Sequence, residues 1–303
     1  MSTITGVIAP NLTFFNDDLS IATDLYVAHA KRLLEQGCAG LAPFGTTGEA
    51  LSVGIDERID ALGALVGAGI DPKKLIPGTG LTAFSDTARL SSACLDAGCA
   101  GVMVLPPFYF KSVPDDGLFR YFAKLIETIG RDDLRIYLYH IPQVAGVGLP
   151  IDVVRRLRSA FPDQIVGIKD SSGVWDNTKA LLEIDGLIVY PGSELPLIEA
   201  MDLGAPGCIT ATANLNAAAV AAVIAAYKGG DRDRAAALHE NVKTFRMTLQ
   251  EYAPIPAQKR LLSEWLGEAR LATLRPPLLE MDPAAARNLA DQLAEKCGFT
   301  GVT

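Results

Sequence analysis

One pattern governs what this chain can fold into. A short run of Val, Ile and Leu ends in Gly, Pro, Ser or Thr, a segment with helical apolar spacing follows, and the pair recurs eight times. The runs fall at residues 6–12, 40–44, 75–79, 101–105, 136–140, 165–169, 188–192 and 208–212. The helical segments fall at 19–34, 56–66, 85–95, 115–129, 150–159, 175–184, 195–203 and 216–227. Runs with weak alternation suit strands covered on both faces, and each return to a parallel neighbour needs a crossover helix. Eight units in strict alternation therefore predict an α/β chain with a parallel sheet, and they favour a closed (β/α)8 TIM barrel over an open doubly wound sheet. An open dinucleotide-binding sheet would carry Gly-x-Gly-x-x-Gly after its first strand, and none stands there. Ser20, Ser85 and Asn214 or Asn216 are the expected helix caps.

Helical spacing continues past the eighth unit without a strand signal, at 232–249, 257–266 and 283–295, and Ala253-Pro254-Ile255-Pro256 is expected to break the first of these from the second. No low-complexity linker intervenes. The expected organisation is a barrel carrying the active site over residues 1–228 and a helical C-terminal region over 229–303 packed on it.

Composition narrows the function classes. Hydrophobic residues make up 49% of the 303, enough for a large core. The net charge is −8, which argues against nucleic acid or an anionic membrane as partner but leaves room for a small anion in a local site. Five cysteines, an odd number without a CxxC pair, read as reduced, mostly buried thiols of a cytoplasmic protein. The first residues show no secretory leader, and the longest apolar stretch, 215–227, is too short to span a bilayer.

In a barrel, chemistry sits at the carboxyl ends of the strands. Lys169, in Ile165-Val166-Gly167-Ile168-Lys169-Asp170-Ser171-Ser172-Gly173, is the only one of eleven lysines inside a strand-like apolar run. Burying an ammonium is costly unless it is paired or loses its proton, and the neutral amine attacks carbonyls. The competing reading is an ion pair with Asp170, or a lysine that snorkels to water. Phe44-Gly45-Thr46-Thr47-Gly48-Glu49 follows the second run. Gly45 lets the backbone approach a ligand, and the two hydroxyls with nearby N–H groups can hold a carboxylate, although a plain glycine-rich turn has the same composition. Tyr139 and Tyr137 face the same way at the end of the fifth run. Either could move a proton or simply pack in the barrel, and Tyr139 is nearer the end. The aromatic loop Pro106-Pro107-Phe108-Tyr109-Phe110 reads as a pocket wall or an oligomer contact. Ser171, Gly192 and Glu194 add small polar groups at strand ends. His29, His140 and His239 stand apart, so no metal is expected.

Taken together, Gly45-Thr46-Thr47-Gly48-Glu49, Tyr139-x-x-Pro142, Gly167-Ile168-Lys169-Asp170-Ser171-Ser172 and the segment Pro254-Ile255-Pro256-Ala257-Gln258-Lys259 resemble the dihydrodipicolinate synthase / N-acetylneuraminate lyase family of pyruvate-dependent aldolases, in order along nearly the whole chain. The resemblance implies that Lys169 is the Schiff-base lysine, with no cofactor beyond that covalent imine. It implies that Tyr139 shuttles protons and that Thr46 and Thr47 bind the pyruvyl carboxylate and relay protons. Gly192 and Ile209 would touch the pyruvyl group. Tyr109, with Phe110 as the rival alignment, would be lent by a neighbouring subunit of a homotetramer built as a dimer of dimers.

Two departures bear on the substrate. The lysine-pathway synthases carry an arginine where Val144 stands, and an aliphatic side chain cannot replace a carboxylate clamp. The sialic acid lyases carry Asp-Glu where this chain has Glu194-Leu195, while sharing an aliphatic residue at the Val144 position. The Lys169-to-Gly173 and Pro191-Gly192-Ser193 stretches resemble hydroxy-oxo-acid and deoxy-sugar-acid aldolases more closely. The expected function is a Schiff-base aldolase or lyase joining or splitting pyruvate and an aldehyde. The alternatives are dihydrodipicolinate synthase itself, a keto-deoxy sugar-acid dehydratase, and a non-catalytic 2-oxo-acid sensor.

Overall fold

The apolar runs lie side by side as parallel strands. In the computed structural model, which describes residues 3–302, the barrel elements run β1 (Gly6–Ala9), α1 (Thr23–Glu35), β2 (Gly40–Leu41), α2 (Ile55–Gly67), α3 (Phe84–Asp96), β3 (Val102–Val104), α4 (Asp115–Ile129), β4 (Ile136–His140), α5 (Pro142–Ala145) and α6 (Ile151–Ala160). They continue as β5 (Ile165–Asp170), α7 (Trp175–Leu182), β6 (Ile188–Pro191), α8 (Leu197–Asp202), β7 (Gly207–Ile209) and α9 (Ala213–Lys228). Helices α10 (Arg232–Leu249), α11 (Pro254–Leu266) and α12 (Pro283–Cys297) complete the chain.

β1 pairs with β2 and β7, and β3, β4, β5 and β6 pair in order, all parallel. The run at 75–79 makes no ladder of its own. It spans the space between β2 and β3 through the single bridges Leu41–Leu75 and Gly78–Met103. Pro77 there has no N–H to give, and Gly78 lies so close to the Phe44 carbonyl that a Cβ would meet its oxygen at 2.3 Å. With that segment in place the strands are the staves of a (β/α)8 barrel, β6 lying beside β7. The apolar character of the runs is explained by burial on both faces: all five residues of β4 are buried, as are Val7, Ile8, Val102, Ile168 and Ile209.

A second apolar cluster joins Leu12, Phe14 and Ala22 of the barrel to Phe245, Leu261, Leu289 and Leu293 of the C-terminal helices. These helices lie near the carboxyl ends of the strands and so can wall the site.

The expected caps are corrected by the structure. α1 and α3 begin after Ala22 and Ala83 with no side-chain cap, and Ser20 instead bonds Asp18. Asn214 sits inside α9, where its side chain accepts the Leu12 N–H at 3.0 Å and donates to the Pro10 carbonyl at 3.1 Å. Asn216 lies at a kink in α9. Both serve tertiary contacts that local propensity does not encode. Helices α10 and α11 do break ahead of Ala253-Pro254-Ile255-Pro256, but the second begins at Pro254 rather than at 257, because both prolines fit a helix's first turn, where an N–H is not needed. All five cysteines are free, four of them buried. Among the described residues no helix is long and apolar enough to cross a membrane.

Candidate active site

Lys169 lies on β5, paired in register with Tyr139 on β4, and is 4% exposed. Its Nζ is 3.5 Å from the Tyr139 hydroxyl and 4.5 Å from the centre of the Tyr139 ring. The ion pair with Asp170 does not form. Successive strand residues face opposite ways, and the Asp170 carboxylate accepts instead from Thr178 Oγ1 at 2.6 Å, Asn177 Nδ2 at 3.1 Å and the Ser172 N–H at 3.0 Å. Among the described residues no carboxylate lies within salt-bridge reach of Lys169. The amine is therefore buried, uncompensated, and open to a reactant.

Register also separates the two tyrosines. Tyr137, two residues deeper on β4, packs against the Tyr190 ring with 6.0 Å between centres, and burial raises its pKa above the ordinary phenol value. Tyr139 faces the cavity, where its hydroxyl is 3.2 Å from Thr46 Oγ1. A chain of polar groups thus runs from Thr46 through Tyr139 to Lys169.

The turn carrying Thr46 and Thr47 is held between two non-glycine residues in the left-handed region, Phe44 with φ 58° and Glu49 with φ 51°. Such conformations persist where the surroundings impose them. Glu49 is fixed from below by Lys259 of α11, an ion pair with neither side chain exposed, and Lys259 Nζ also donates to the Thr273 carbonyl at 2.9 Å. Burial pushes the Glu49 carboxyl up and Lys259 down to about 8. Lys259 lies one turn before buried Leu262 on the same helix face, a place where a lysine needs a buried partner, and that spacing is the sequence signal for the pair.

The cavity around Lys169 holds about 640 Å³. From the barrel, Thr46, Thr47, Tyr139, Ser171 and Gly192 line it with Lys169. Gly192 has no room for a side chain, since a Cβ would fall 2.0 Å from Ser171 Oγ. Gly45 lies in a smaller adjoining pocket that shares Thr46, Tyr139 and Val144 with the main one. Val144 is 56% exposed at the junction of the two.

Three candidate residues fall elsewhere. Glu194 is fully buried outside the lining, where its carboxylate accepts the Thr210 and Thr212 hydroxyls. Ile209 is buried in β7, and Ala211 and Thr212 just beyond it reach the cavity instead. Tyr109 is 76% exposed, edge-on to Phe110, and away from this chain's cavity. The histidines are spent on local bonds: His140 Nδ1 accepts the Leu149 N–H, His29 bonds Asn214, and His239 bonds the Glu194 carbonyl. Among the described residues no group of three His, Cys, Asp or Glu side chains could hold a metal.

The far wall, from Arg246, Leu249, Gln250, Tyr252 and Gln258, has no strand-end motif to announce it. Arg246 shares a helix face with buried Val242, Phe245 and Leu249, and a charge at that spacing is the available sequence sign.

The chain is similar to known proteins along nearly all its length. The dihydrodipicolinate synthetase family model matches residues 3–296. A 4-hydroxy-tetrahydrodipicolinate synthase of Thermus thermophilus is 34% identical over 272 residues, covering 89% of this chain and 88% of the relative. The crystal structure of dihydrodipicolinate synthase from Agrobacterium tumefaciens matches with a TM-score of 0.87 at 34% identity, over 96% of this chain and 99% of that one. YagE, a prophage protein of the dihydrodipicolinic acid synthase family from E. coli K12 in complex with pyruvate, matches with a TM-score of 0.90 at 24% identity, over 98% of this chain and 100% of that one.

Proposed function

The chain belongs to the dihydrodipicolinate synthetase family, and so to the pyruvate-dependent class I aldolases and lyases; on that premise we propose that Lys169 forms the Schiff base and that the enzyme joins pyruvate to, or splits it from, an aldehyde. The observation that carries the reading is the buried lysine without a counter-ion, next to Tyr139 and at the floor of a cavity.

In the joining direction, Lys169 Nζ adds to C2 of pyruvate and water leaves, giving a protonated imine. The imine draws electrons from C3, which loses a proton to become the enamine carbon. C3 attacks the aldehyde carbon, and the aldehyde oxygen takes a proton and becomes the C4 hydroxyl. Tyr139, bonded onward to Thr46, is the group that moves this proton. Water then hydrolyses the imine, releasing the hydroxy-oxo acid and the free amine. Cleavage is the same path reversed. Thr46, Thr47 and the N–H groups of their turn hold the pyruvyl carboxylate, with Gly45, Ser171 and Gly192 closing around the three-carbon unit. No metal or organic cofactor enters the scheme.

Tyr109 serves the site of a neighbouring subunit, and the working form is a cytoplasmic homotetramer. The exposure of Tyr109 and Phe110 supports this, because two large aromatic rings in water are poorly placed in a monomer. For the aldehyde, Val144 at the cavity junction supports a hydroxy-oxo acid or keto-deoxy sugar acid over aspartate semialdehyde. The 34% identical relatives named as synthases favour the second reading, 4-hydroxy-tetrahydrodipicolinate synthase.

Borohydride reduction in the presence of pyruvate, read by intact mass, tests the nucleophile. One pyruvyl adduct is expected on the wild type and none on Lys169→Ala. An adduct that persists on the variant would overturn the assignment. Turnover of aspartate semialdehyde as fast as the best alternative aldehyde would promote the synthase reading.

A further inference from the structure

The cavity is several times larger than a three-carbon oxo acid requires, and its far wall belongs to the C-terminal helices. Among the described residues, Lys169 and Arg246 are the only two basic side chains that line it, and imine formation uses the first. Of the carboxylates in the lining, Asp170 is spent on Thr178, Asn177 and the Ser172 N–H, and Glu199 shares the wall, so Arg246 is the remaining cation there that can meet an anionic group of the substrate.

Its surroundings are unusual for a partly buried arginine, 22% exposed in its side chain. Nη1 is 3.4 Å from Glu194 Oε2 and 3.3 Å from Thr210 Oγ1, both long contacts made by one nitrogen. Nε is buried without an acceptor, and among the described residues none bonds Nη2. Glu194, fully buried, already accepts a hydroxyl on each oxygen, from Thr210 and Thr212. Glu194 is thus held by the threonines and in turn steadies the guanidinium through Nη1, leaving Nη2 without a bond among the described residues on a side chain that lines the cavity. Such a planar fork matches a carboxylate, which takes two parallel N–H bonds. Donors left unmet in a partly dry site are costly, and an anionic ligand group relieves them.

We propose that Arg246 binds a carboxylate at the far end of the aldehyde partner, from a different wall than the arginine that Val144 replaces, so that the substrate class is a carboxylated aldehyde and the joined product a dicarboxylic hydroxy-oxo acid rather than a keto-deoxy sugar acid. Glu194 is a positioning residue for Arg246 and does not touch the substrate. The inference rests on the pyruvate-aldolase reading given above.

Succinic semialdehyde and butanal test it, because they share a four-carbon chain and differ only in the terminal carboxylate. The ratio of their kcat/KM values with pyruvate is expected to fall at least tenfold in Arg246→Met and to recover partly in Arg246→Lys. Glu194→Gln should lower the same ratio by raising KM for succinic semialdehyde, with little change in kcat. Borohydride trapping of pyruvate on each variant reports whether the Lys169 end is intact. A ratio unchanged in Arg246→Met, with pyruvate still trapped, would overturn the proposal. Should the wild type itself trap no pyruvate, the imine reading fails, and calorimetric titration with succinate decides on Arg246 alone. Tenfold weaker binding by Arg246→Met would support the anchor, and equal binding would sink it.

Discussion

Lys259 on α11 and Glu49 in the Thr46–Thr47 turn are ion-paired with neither side chain reaching solvent. The pair ties the C-terminal helices to the turn that brings Thr46 and Thr47 to the cavity, and Glu49 keeps its left-handed backbone there. Removing one partner of a buried pair leaves a bare charge. Lys259→Met should therefore lower folding stability by about 3–5 kcal/mol in urea unfolding. Lys259→Met with Glu49→Gln should recover part of that, since neither charge is then stranded. A single-variant loss under about 1 kcal/mol would mean that water reaches the pair.

The Tyr139 hydroxyl lies between Lys169 and Thr46, so its removal separates proton transfer from imine chemistry. Tyr139→Phe should cut kcat by roughly 10²–10⁴-fold while the pyruvate adduct still forms on longer incubation. Turnover within about tenfold of wild type would assign the proton transfer to another group, with bound water the first candidate.

His29 is fully buried, and that burial, helped by the Arg32 charge and opposed by the Asn214 bond, pushes its pKa down to about 3 from an ordinary 6.5. The folded state therefore binds fewer protons than the unfolded chain between those values. Its contribution is present in full above pH 6.5 and is lost as the pH falls toward 3. By pH 5 the loss amounts to about 2 kcal/mol. Carboxylates titrate in the same range, so the comparison is between wild type and His29→Asn. The drop in stability from pH 7 to pH 5 should be smaller in the variant by about that amount. Parallel pH profiles would contradict the assignment.

Tyr109 does not line its own cavity, so a lent tyrosine must act across subunits. Tyr109→Ala and Lys169→Ala chains should each be nearly inactive. Co-expressed, they should form mixed oligomers in which some sites combine an intact Lys169 with an intact partner tyrosine, and turnover should reappear. Mixed oligomers, verified by mass, that stay inactive would remove Tyr109 from the mechanism.

The barrel was legible in the chain because parallel strands buried on both faces must be apolar throughout, and eight such runs leave few alternatives. Helices 115–129 and 232–249 were readable to the residue, since each opens on charged residues at Asp115-Asp116 or Arg232-Asp233 and stops where its periodic apolar positions end, at Ile129 and Leu249. The run at 75–79 was misjudged as a full strand. Its proline and glycines allow only single bridges, and whether such a run ladders depends on its neighbours. The caps failed for the same reason: Asn214 was claimed by the β1 exit, which is distant in sequence.

At the site, sequence alone determined that a lysine, a tyrosine and two threonines stand at strand ends. Strand ends are local features, and their chemistry is written in consecutive residues. Position nearer the strand end favoured Tyr139 over Tyr137, and it is Tyr139 that lines the cavity, but sequence could not say which partners hold the Asp170 carboxylate or that Glu194 is locked beneath the wall instead of lining it. Nor could it bring Arg246 and Lys259, on helices beyond the barrel, to the cavity and to Glu49 beside the Thr46–Thr47 turn. The contacts of Arg246 with Glu194 and of Lys259 with Glu49 join residues about 50 and more than 200 positions apart, and only packing the C-terminal helices over the strand ends decides which side chains meet.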